Sequence, residues 1–329
     1  MRTILATDIG GTKTLFQLST EDGDVVLEKS YESQGFADFD SVLAAFLNEP
    51  SVNNYQINSA CFAVAGPVSG RQAQVTNLPW QLDADDLAAK FAINHIVLCN
   101  DFEAVAHGIN CLDDNDIICL QKGGEINDAP RAVIGAGTGL GQALMLPAND
   151  GIWQVVATEG GHTDFGPRDQ LQISLLEHLM IKLDHISYER LVSGPGIVEI
   201  YQFLMIHEDD DENEQLRLAM EEGDPAAAIS HFAAIKQDVL AVKTMDLFSK
   251  IYAAQAANFA LAVLPYSGLY IAGGIASKNV KLFQQQAFLQ SFLDKGKMSS
   301  LLTKIPIMLI LEAKVGLLGA RLLARQSQV

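Results

Sequence analysis

The sequence predicts a two-lobed α/β protein with related halves. A short glycine turn lies between two apolar runs near the start of the chain, and a second one lies in the same setting near the middle. Each opens a predicted β-hairpin that is followed by mixed helices and strands, which is typical of a duplicated α/β architecture. The 329 residues suffice for two domains, each with its own core.

Apolar patterning predicts the elements of the first half. The predicted strands are Thr3–Ile9, Thr14–Ser19, Val25–Tyr31, Ile57–Val64, Gln72–Thr76 and His95–Cys99. The predicted helices are Asp38–Leu47, Asp83–Phe91 and Phe102–Ile109. Asn100 and Asp101 therefore lie at the carboxyl end of a buried strand.

The second half repeats this opening. The predicted strands are Arg131–Ile134, Gln142–Leu146, Trp153–Thr158, Leu269–Ala272 and Ile305–Leu311. Helices are predicted to dominate from about Gln170 to Pro265, and a last helix spans Val315–Arg325, with Gly316 and Gly319 allowing close packing. The apolar stretch Val239–Leu264 carries three charged residues, so it predicts a core helix and not a membrane span.

Charge and cysteine content exclude several classes of protein. The chain has 22 basic and 40 acidic residues, a net charge of −18, which argues against nucleic-acid partners and anionic membranes. A strand at Thr3 leaves no room for a signal peptide, so we expect a cytoplasmic protein. The four cysteines lack Cys-x-x-Cys spacing and are expected to be buried, reduced thiols.

The two glycine turns suit an anion. Gly10, Gly11 and Thr12 form the first turn, and Gly137, Thr138 and Gly139 form the second. Bare backbone N–H groups gather in such turns. A single turn of this kind is more often a plain hairpin, but two in equivalent settings favour one polyphosphate held from two sides. Their strand–turn–strand setting counts against a Rossmann site and a P-loop.

Together with four further segments, these turns resemble the bacterial glucokinase family, within the sugar kinase, Hsp70 and actin superfamily. The matching segments are Asp8–Thr12, Asn100–Val105, Gly135–Gly141, Glu159–Phe165, Glu189–Gly196 and Ile271–Ile275. The resemblance implies a ribonuclease H-like fold of the actin/hexokinase type, with mixed sheets flanked by helices and a cleft between the lobes. It implies a small domain, 1–112 plus 303–329, and a large domain, 113–302.

The implied reaction is ATP-dependent phosphorylation of glucose to glucose 6-phosphate, the first step of glycolysis. A sugar hydroxyl is a poor nucleophile, so a carboxylate must accept its proton, and Asp101 is the expected general base. Judged from the local sequence, Asp101 could instead be a helix N-cap. Asp8 is expected to orient Mg²⁺ through water, with a turn-capping role as its alternative.

Sugar and nucleotide contacts are implied at further positions. Expected hydroxyl ligands are Asn100, Asp101, Glu159, His162 and Glu189, whose donors and acceptors suit an uncharged sugar. Taken singly, such Glu and His side chains are more often ordinary surface residues, and His162 beside Asp164 could also mark a metal site. Gly273 and Gly274 are expected to lie against the adenosine, although any strand-to-helix turn can use two glycines.

Some features depart from the family pattern. Lys13 stands where many of these glucokinases carry Asn, and the Gly10–Lys13 sequence is more typical of the related repressor/kinase (ROK) family. That family's zinc-binding cysteine element does not follow His162, so no structural zinc is expected. The acidic run Glu208–Glu214 indicates a solvated segment.

Three other functions stay open at this point. The first is a kinase for another hexose, such as mannose, fructose or an N-acetylated hexosamine. The second is a filament-forming or chaperone ATPase with the same phosphate turns, which would not need Glu159, His162 and Glu189. The third is a sugar-responsive repressor, opposed by the acidic charge. The resemblance also implies a homodimer.

Overall fold

The computed structural model describes residues 3–124, 126, 128–148, 153–208 and 213–327. The chain divides into two compact units. The first comprises Met1–Asp113, Val155–Ala157 and Lys314–Val329, and the second comprises Asp114–Gln154 and Thr158–Ala313. Most of the predicted acidic run, residues 209–212, lies outside the described residues.

The strands of the described residues, in chain order, are β1 (Thr3–Ile9), β2 (Lys13–Thr20), β3 (Val25–Glu32), β4 (Ile57–Val64), β5 (Val68–Ser69), β6 (Gln72–Gln74), β7 (Gln81–Asp83), β8 (His95–Asn100), β9 (Ile117–Gln121), β10 (Arg131–Ala136), β11 (Leu140–Pro147), β12 (Trp153–Thr158), β13 (Leu269–Ala272) and β14 (Ile307–Ile310). The predicted strands are all present, and no end differs from the prediction by more than two residues.

The helices of the described residues are α1 (Phe39–Leu47), α2 (Ala84–Phe91), α3 (Asp101–Gly108), α4 (Gln170–Met180), α5 (Tyr188–Leu191), α6 (Gly194–His207), α7 (Glu214–Glu222), α8 (Pro225–Ala234), α9 (Val239–Val263), α10 (Gly274–Lys278), α11 (Val280–Phe283), α12 (Gln286–Leu293), α13 (Ser299–Leu302) and α14 (Val315–Gln326). Asp or Ser side chains cap the first turns of α1, α2, α6, α8 and α9, which accounts for where these helices begin.

In the first unit, a mixed sheet has a hydrophobic core on each face. Its strand order is β3-β2-β1-β4-β8, antiparallel from β3 to β1 and parallel from β1 to β8. Residues of β1 alternate between the two cores: Leu5 and Ile9 pack with aromatic residues of α1, whereas Ile4 and Ala6 pack with α3 and α14. The short strands β5, β6 and β7 form a separate sheet.

Helices α3 and α14 approach each other closely because two glycines face their contact. A Cβ on Gly319 would lie 1.8 Å from the carbonyl oxygen of Ala104, and one on Gly108 would lie 2.0 Å from that of Val315. The close packing expected of Gly319 is therefore confirmed. Because α3 begins at Asp101, this contact helps to fix the predicted general base.

In the second unit, the main sheet has the order β12-β11-β10-β13-β14-β9. Its run β12 to β14 repeats the strand order of β3 to β8, and β11 to β14 repeat the strand directions of β2 to β8, which confirms the duplicated topology. The sequence analysis missed β9, an antiparallel edge strand on β14. Because β14 lies in this sheet, the chain returns to the first unit at Lys314 and not near residue 303.

The predicted core helix in the second unit is α9, which is buried along much of its length. It packs with α6, α8 and α12 in one hydrophobic core. Among the described residues, no helix combines the length and apolar content needed to cross a bilayer.

The expectation that all four cysteines are buried is wrong for two of them. Cys61 and Cys99 are buried in neighbouring strands of the first unit, with their sulfur atoms 3.6 Å apart. Cys111 and Cys119 are exposed, and all four are free.

Candidate active site

The first glycine turn connects β1 to β2 and is held by a serine distant in sequence. The N–H of Gly10 donates to the carbonyl of Lys13 at 2.9 Å, which closes the turn. Ser33 donates from Oγ to the carbonyl of Gly10 at 2.8 Å and from its N–H to that of Thr12 at 2.8 Å. Its hydroxyl also lies 3.0 Å from that of Thr14, which must be the donor, since the Ser33 proton is already engaged.

Asp8 is the acidic residue beside this turn. Burial raises the pKa of its carboxyl above the usual 3.8, because desolvation disfavours the charged form. A desolvated carboxylate next to a phosphate turn fits Mg²⁺, which takes few protein carboxylates and keeps several waters. Among the described residues, no group of three or more His, Cys, Asp or Glu side chains is arranged to hold a metal ion.

Asn100 and Asp101 lie where β8 ends and α3 begins. Asn100 is the N-cap of α3: its Oδ1 accepts the N–H of Phe102 at 2.9 Å, and its Nδ2 donates to the carbonyl of Gly66 at 3.2 Å. The capping position considered for Asp101 therefore belongs to Asn100. Asp101 is the first helical residue, and its Oδ1 also accepts from the N–H of Phe102 at 2.9 Å.

The second glycine turn connects β10 to β11. The N–H of Gly137 donates to the carbonyl of Gly139 at 2.9 Å, and the N–H of Gly194 donates to the carbonyl of Gly137 at 2.8 Å. Leu140, the next residue, donates its N–H to Oε2 of Glu189 at 2.8 Å. Residue 139 must lack a side chain for this contact, because a Cβ there would lie 2.5 Å from the same oxygen.

Three of the predicted sugar ligands lie together in the second unit. Nε2 of His162 lies 3.8 Å from Oε2 of Glu159, and Nδ1 lies 3.8 Å from Oε1 of Glu189. The side chains of Glu159, His162 and Glu189 are 77%, 59% and 32% exposed, so a ligand can reach their polar atoms. We call these three residues the carboxylate–imidazole cluster.

The two glycines between Glu159 and His162 let the chain turn tightly against β11. A Cβ on Gly160 would lie 2.2 Å from Oε1 of Gln142, and one on Gly161 would lie 2.0 Å from the carbonyl oxygen of Leu140. Asp164, the partner in the metal alternative, lies 3.4 Å from Nδ1 of His185.

A cavity of about 800 Å³ joins the second turn to the predicted adenosine residues. Its wall includes Gly137, Thr138 and Gly274. Gly273 does not line it but shapes it: its φ is +92°, and a Cβ would lie 2.4 Å from the carbonyl oxygen of Ala136. The structure thus groups the second glycine turn and the predicted adenosine residues around one space.

Sequence reasoning missed other residues of this cavity and the serine that supports the first turn. The cavity is completed by residues in or next to α6, α8 and α10, among them Pro195, Asp224, Ser230, Lys278 and Asn279. Asp followed by Pro is typical of a helix start, so Asp224 and Pro225 could have indicated where α8 begins. No sequence signal pointed to Ser33, whose role depends on a tertiary contact.

Comparisons with known proteins agree with this geometry. The model of the glucokinase family matches residues 5–327. A glucokinase of Nostoc punctiforme is 44% identical over 341 aligned positions, which cover 98% of this chain and 99% of the relative. The solved glucokinase of an Antarctic psychrotroph is 28% identical, with a TM-score of 0.81 and coverage of 99% of each chain.

A ROK family glucokinase of Streptomyces griseus, solved with glucose and AMPPNP, superposes with a TM-score of 0.67. It is 22% identical over 98% of this chain and 99% of its own, a likeness that concerns the fold alone. The fold is thus of the actin/hexokinase type. The chain belongs to the glucokinase family, which confirms the resemblance seen in the sequence.

Proposed function

We propose that the protein is an ATP-dependent hexose kinase that phosphorylates the 6-hydroxyl of D-glucose and releases ADP. Its family membership supports the reaction. The observation that carries the sugar assignment is the convergence of Glu159 and Glu189 on His162, next to the second glycine turn. These side chains offer both hydrogen-bond donors and acceptors, as a ring of uncharged hydroxyls requires.

Asp101 is the proposed general base. The proton of the 6-hydroxyl passes to its carboxylate while the sugar oxygen bonds to the γ-phosphorus and the bond to the β–γ bridging oxygen breaks. That bridging oxygen leaves with the bonding electrons as part of ADP. Asn100 fixes the start of α3 and hence the backbone of Asp101, and its remaining amide capacity is proposed to bind the sugar.

The glycine turns are proposed to hold the phosphates through N–H groups and the hydroxyls of Thr12 and Thr138. Gly273 and Gly274 are proposed to bind the adenosine at the cavity that Gly274 lines. Asp8 would hold Mg²⁺ through water, and the bound ion would neutralise charge on the phosphates. The homodimer and the cytoplasmic location complete the proposal and rest on the resemblance.

A sugar panel tests the substrate. We expect kcat/KM for glucose, from ADP release, to exceed the values for mannose, fructose and N-acetylated hexosamines. ATP hydrolysis without sugar should be slow. A glucose value no higher than the others would refute the choice of glucose, and rapid sugar-independent hydrolysis would favour the ATPase alternative.

Asp101→Asn tests the general base. An amide cannot accept the proton, so kcat should fall about 10²- to 10⁴-fold while glucose binding, measured by calorimetry, persists. Glu103→Gln, which changes an acid on the same helix, is the matched control and should retain kcat. Near-normal kcat in Asp101→Asn would remove Asp101 from the mechanism.

A further inference from the structure

The carboxylate of Glu189 contacts two parts of the second unit at once. Its Oε2 accepts the N–H of Leu140, the residue that ends the second glycine turn, at 2.8 Å. Its Oε1 lies 3.8 Å from Nδ1 of His162, on the side of the carboxylate–imidazole cluster. One side chain therefore links the proposed phosphate site to the proposed sugar site.

Both peptide groups of Leu140 are contacted by chain segments that contain the carboxylate–imidazole cluster. Glu189 holds its N–H, and Gly161 lies against its carbonyl, where a Cβ would approach to 2.0 Å. At the other end of the turn, the N–H of Gly194 donates to the carbonyl of Gly137 at 2.8 Å. Contacts from Gly161, Glu189 and Gly194 thus hold both ends of the turn.

The backbone of Glu189 is held firmly, whereas its carboxylate is accessible. Tyr188 is 4% exposed and Leu191 and Val192 are 0% exposed, so the flanking residues anchor α5 in the core. The Glu189 side chain is 32% exposed. A ligand hydroxyl that bonds to Oε1 would restrict this side chain without moving the helix.

We propose that Glu189 is a positioning residue that couples sugar occupancy to nucleotide binding, an inference that rests on the proposed function. A sugar hydroxyl donating to Oε1 fixes the carboxylate, and the fixed Oε2 then holds the N–H of Leu140 and orders the turn. A nucleotide meeting an ordered turn loses less conformational freedom on binding. By linkage, the nucleotide strengthens sugar binding by the same factor.

The experiment measures the affinity for AMPPNP with Mg²⁺, by calorimetry, without glucose and at saturating glucose. Glucose should tighten AMPPNP binding about 5- to 10-fold in the parent protein. Glu189→Ala should weaken sugar-free AMPPNP binding and abolish the enhancement. Glu189→Asp, which keeps the charge but is too short to reach both partners, should reduce the enhancement and covers the case in which the alanine variant does not fold.

Glu159→Ala and Glu159→Asp are the matched controls, because Glu159 belongs to the same cluster but has no contact with Leu140 among those the structure records. They should weaken glucose binding, leave sugar-free AMPPNP affinity unchanged, and keep the enhancement once glucose saturates. A full enhancement in the Glu189 variants, or equal losses in both pairs, would overturn the coupling. Unchanged glucose binding in the Glu159 pair and in His162→Ala would instead refute the proposed sugar site.

Discussion

The two glycine turns occupy equivalent places in the two units, yet different chemistry supports them. The first is held by Ser33, a neutral residue with no exposed surface, whose hydroxyl donates to the carbonyl of Gly10 and whose N–H donates to that of Thr12. The second is held at the N–H of Leu140 by Glu189, a charged side chain that is one-third exposed. One support is enclosed in the core, and the other can be reached by ligands.

The carboxylates beside the two turns also differ in their access to solvent. Asp8, beside the first turn, is desolvated, and burial raises its pKa. Glu189, beside the second turn, shares its two oxygens between a backbone N–H and an imidazole. The first turn therefore acquires its shape when the unit folds, whereas under the proposed coupling the shape of the second depends on what occupies the neighbouring site.

Among changes to the two turns and their supports, the largest effect is expected from Gly139→Ala. The added Cβ would lie 2.5 Å from Oε2 of Glu189, so the flexible carboxylate must move and release Leu140. Because displaced turn donors no longer meet the phosphate, kcat/KM should fall on the order of 100-fold, with thermal stability nearly unchanged. In the first turn, Gly11→Ala meets only ordinary contacts, 3.5 Å from the carbonyl oxygen of Thr76, and should cost less.

A double variant identifies the cause of this loss. If Gly139→Ala acts by displacing Glu189, it should cost little more once Glu189 is already alanine. The same 100-fold loss in the Glu189→Ala background would show that the methyl group acts on the phosphate directly, and the contrast between the turns would then be wrong.

Ser33→Ala should have an intermediate effect. It leaves the carbonyl of Gly10 and the hydroxyl of Thr14 without their buried partner, so the free energy of unfolding should fall by about 1–3 kcal/mol. The KM for ATP should rise several-fold while the affinity for glucose persists. Urea denaturation and steady-state kinetics measure the two effects.

Ser19→Ala is the matched control for Ser33→Ala. Ser19, in β2, is equally buried, but its hydroxyl has no hydrogen-bond partner in the described residues. Its removal should leave stability and the KM for ATP close to their parent values. If both serine variants lose stability equally, the bonds to the first turn are not what Ser33 contributes.

The smallest effect is the pH dependence contributed by Asp8. The pKa of Asp8 in the folded state lies above the usual 3.8. Between 3.8 and the folded-state pKa, the folded protein therefore binds more protons than the unfolded protein does. The stability that this group contributes is lost as pH rises through the folded-state pKa. Asp8→Asn should therefore flatten this fall and be more stable than the parent at pH 7. Thermal unfolding between pH 4 and 8 measures it, and a lower stability of Asp8→Asn at pH 7 would contradict the desolvation argument.

Local patterns were enough to predict most of the fold. The hairpins, the glycine turns and the Asn100-Asp101 pair at a strand end are features of adjacent residues, so the sequence reveals them. Strand β9 escaped because it is a short, half-buried edge strand whose pairing with β14 is distant in sequence. Cys111 and Cys119 were wrongly expected to be buried because their exposure depends on tertiary packing.

The candidate site was predictable only in part, for the same reason. Glu159, His162 and Glu189 were predicted from family motifs, but nothing in their spacing indicates that Glu189 also contacts Leu140. Ser33 follows the first turn by about twenty residues and reaches it because β3 pairs with β2 in a hairpin. Asn100, and not Asp101, is the N-cap of α3, and this assignment depends on how the two side chains are oriented.

The contact between α3 and α14 has a consequence for synthesis on the ribosome. Residues Leu317, Ala320 and Ala324 of α14 cover one face of the first unit's sheet, and Gly319 seats the helix against α3. That face stays open until α14 has been translated, whereas the second unit is complete once residue 313 has emerged. The first unit, most of which is synthesised first, therefore finishes folding last, and it contains Asp101.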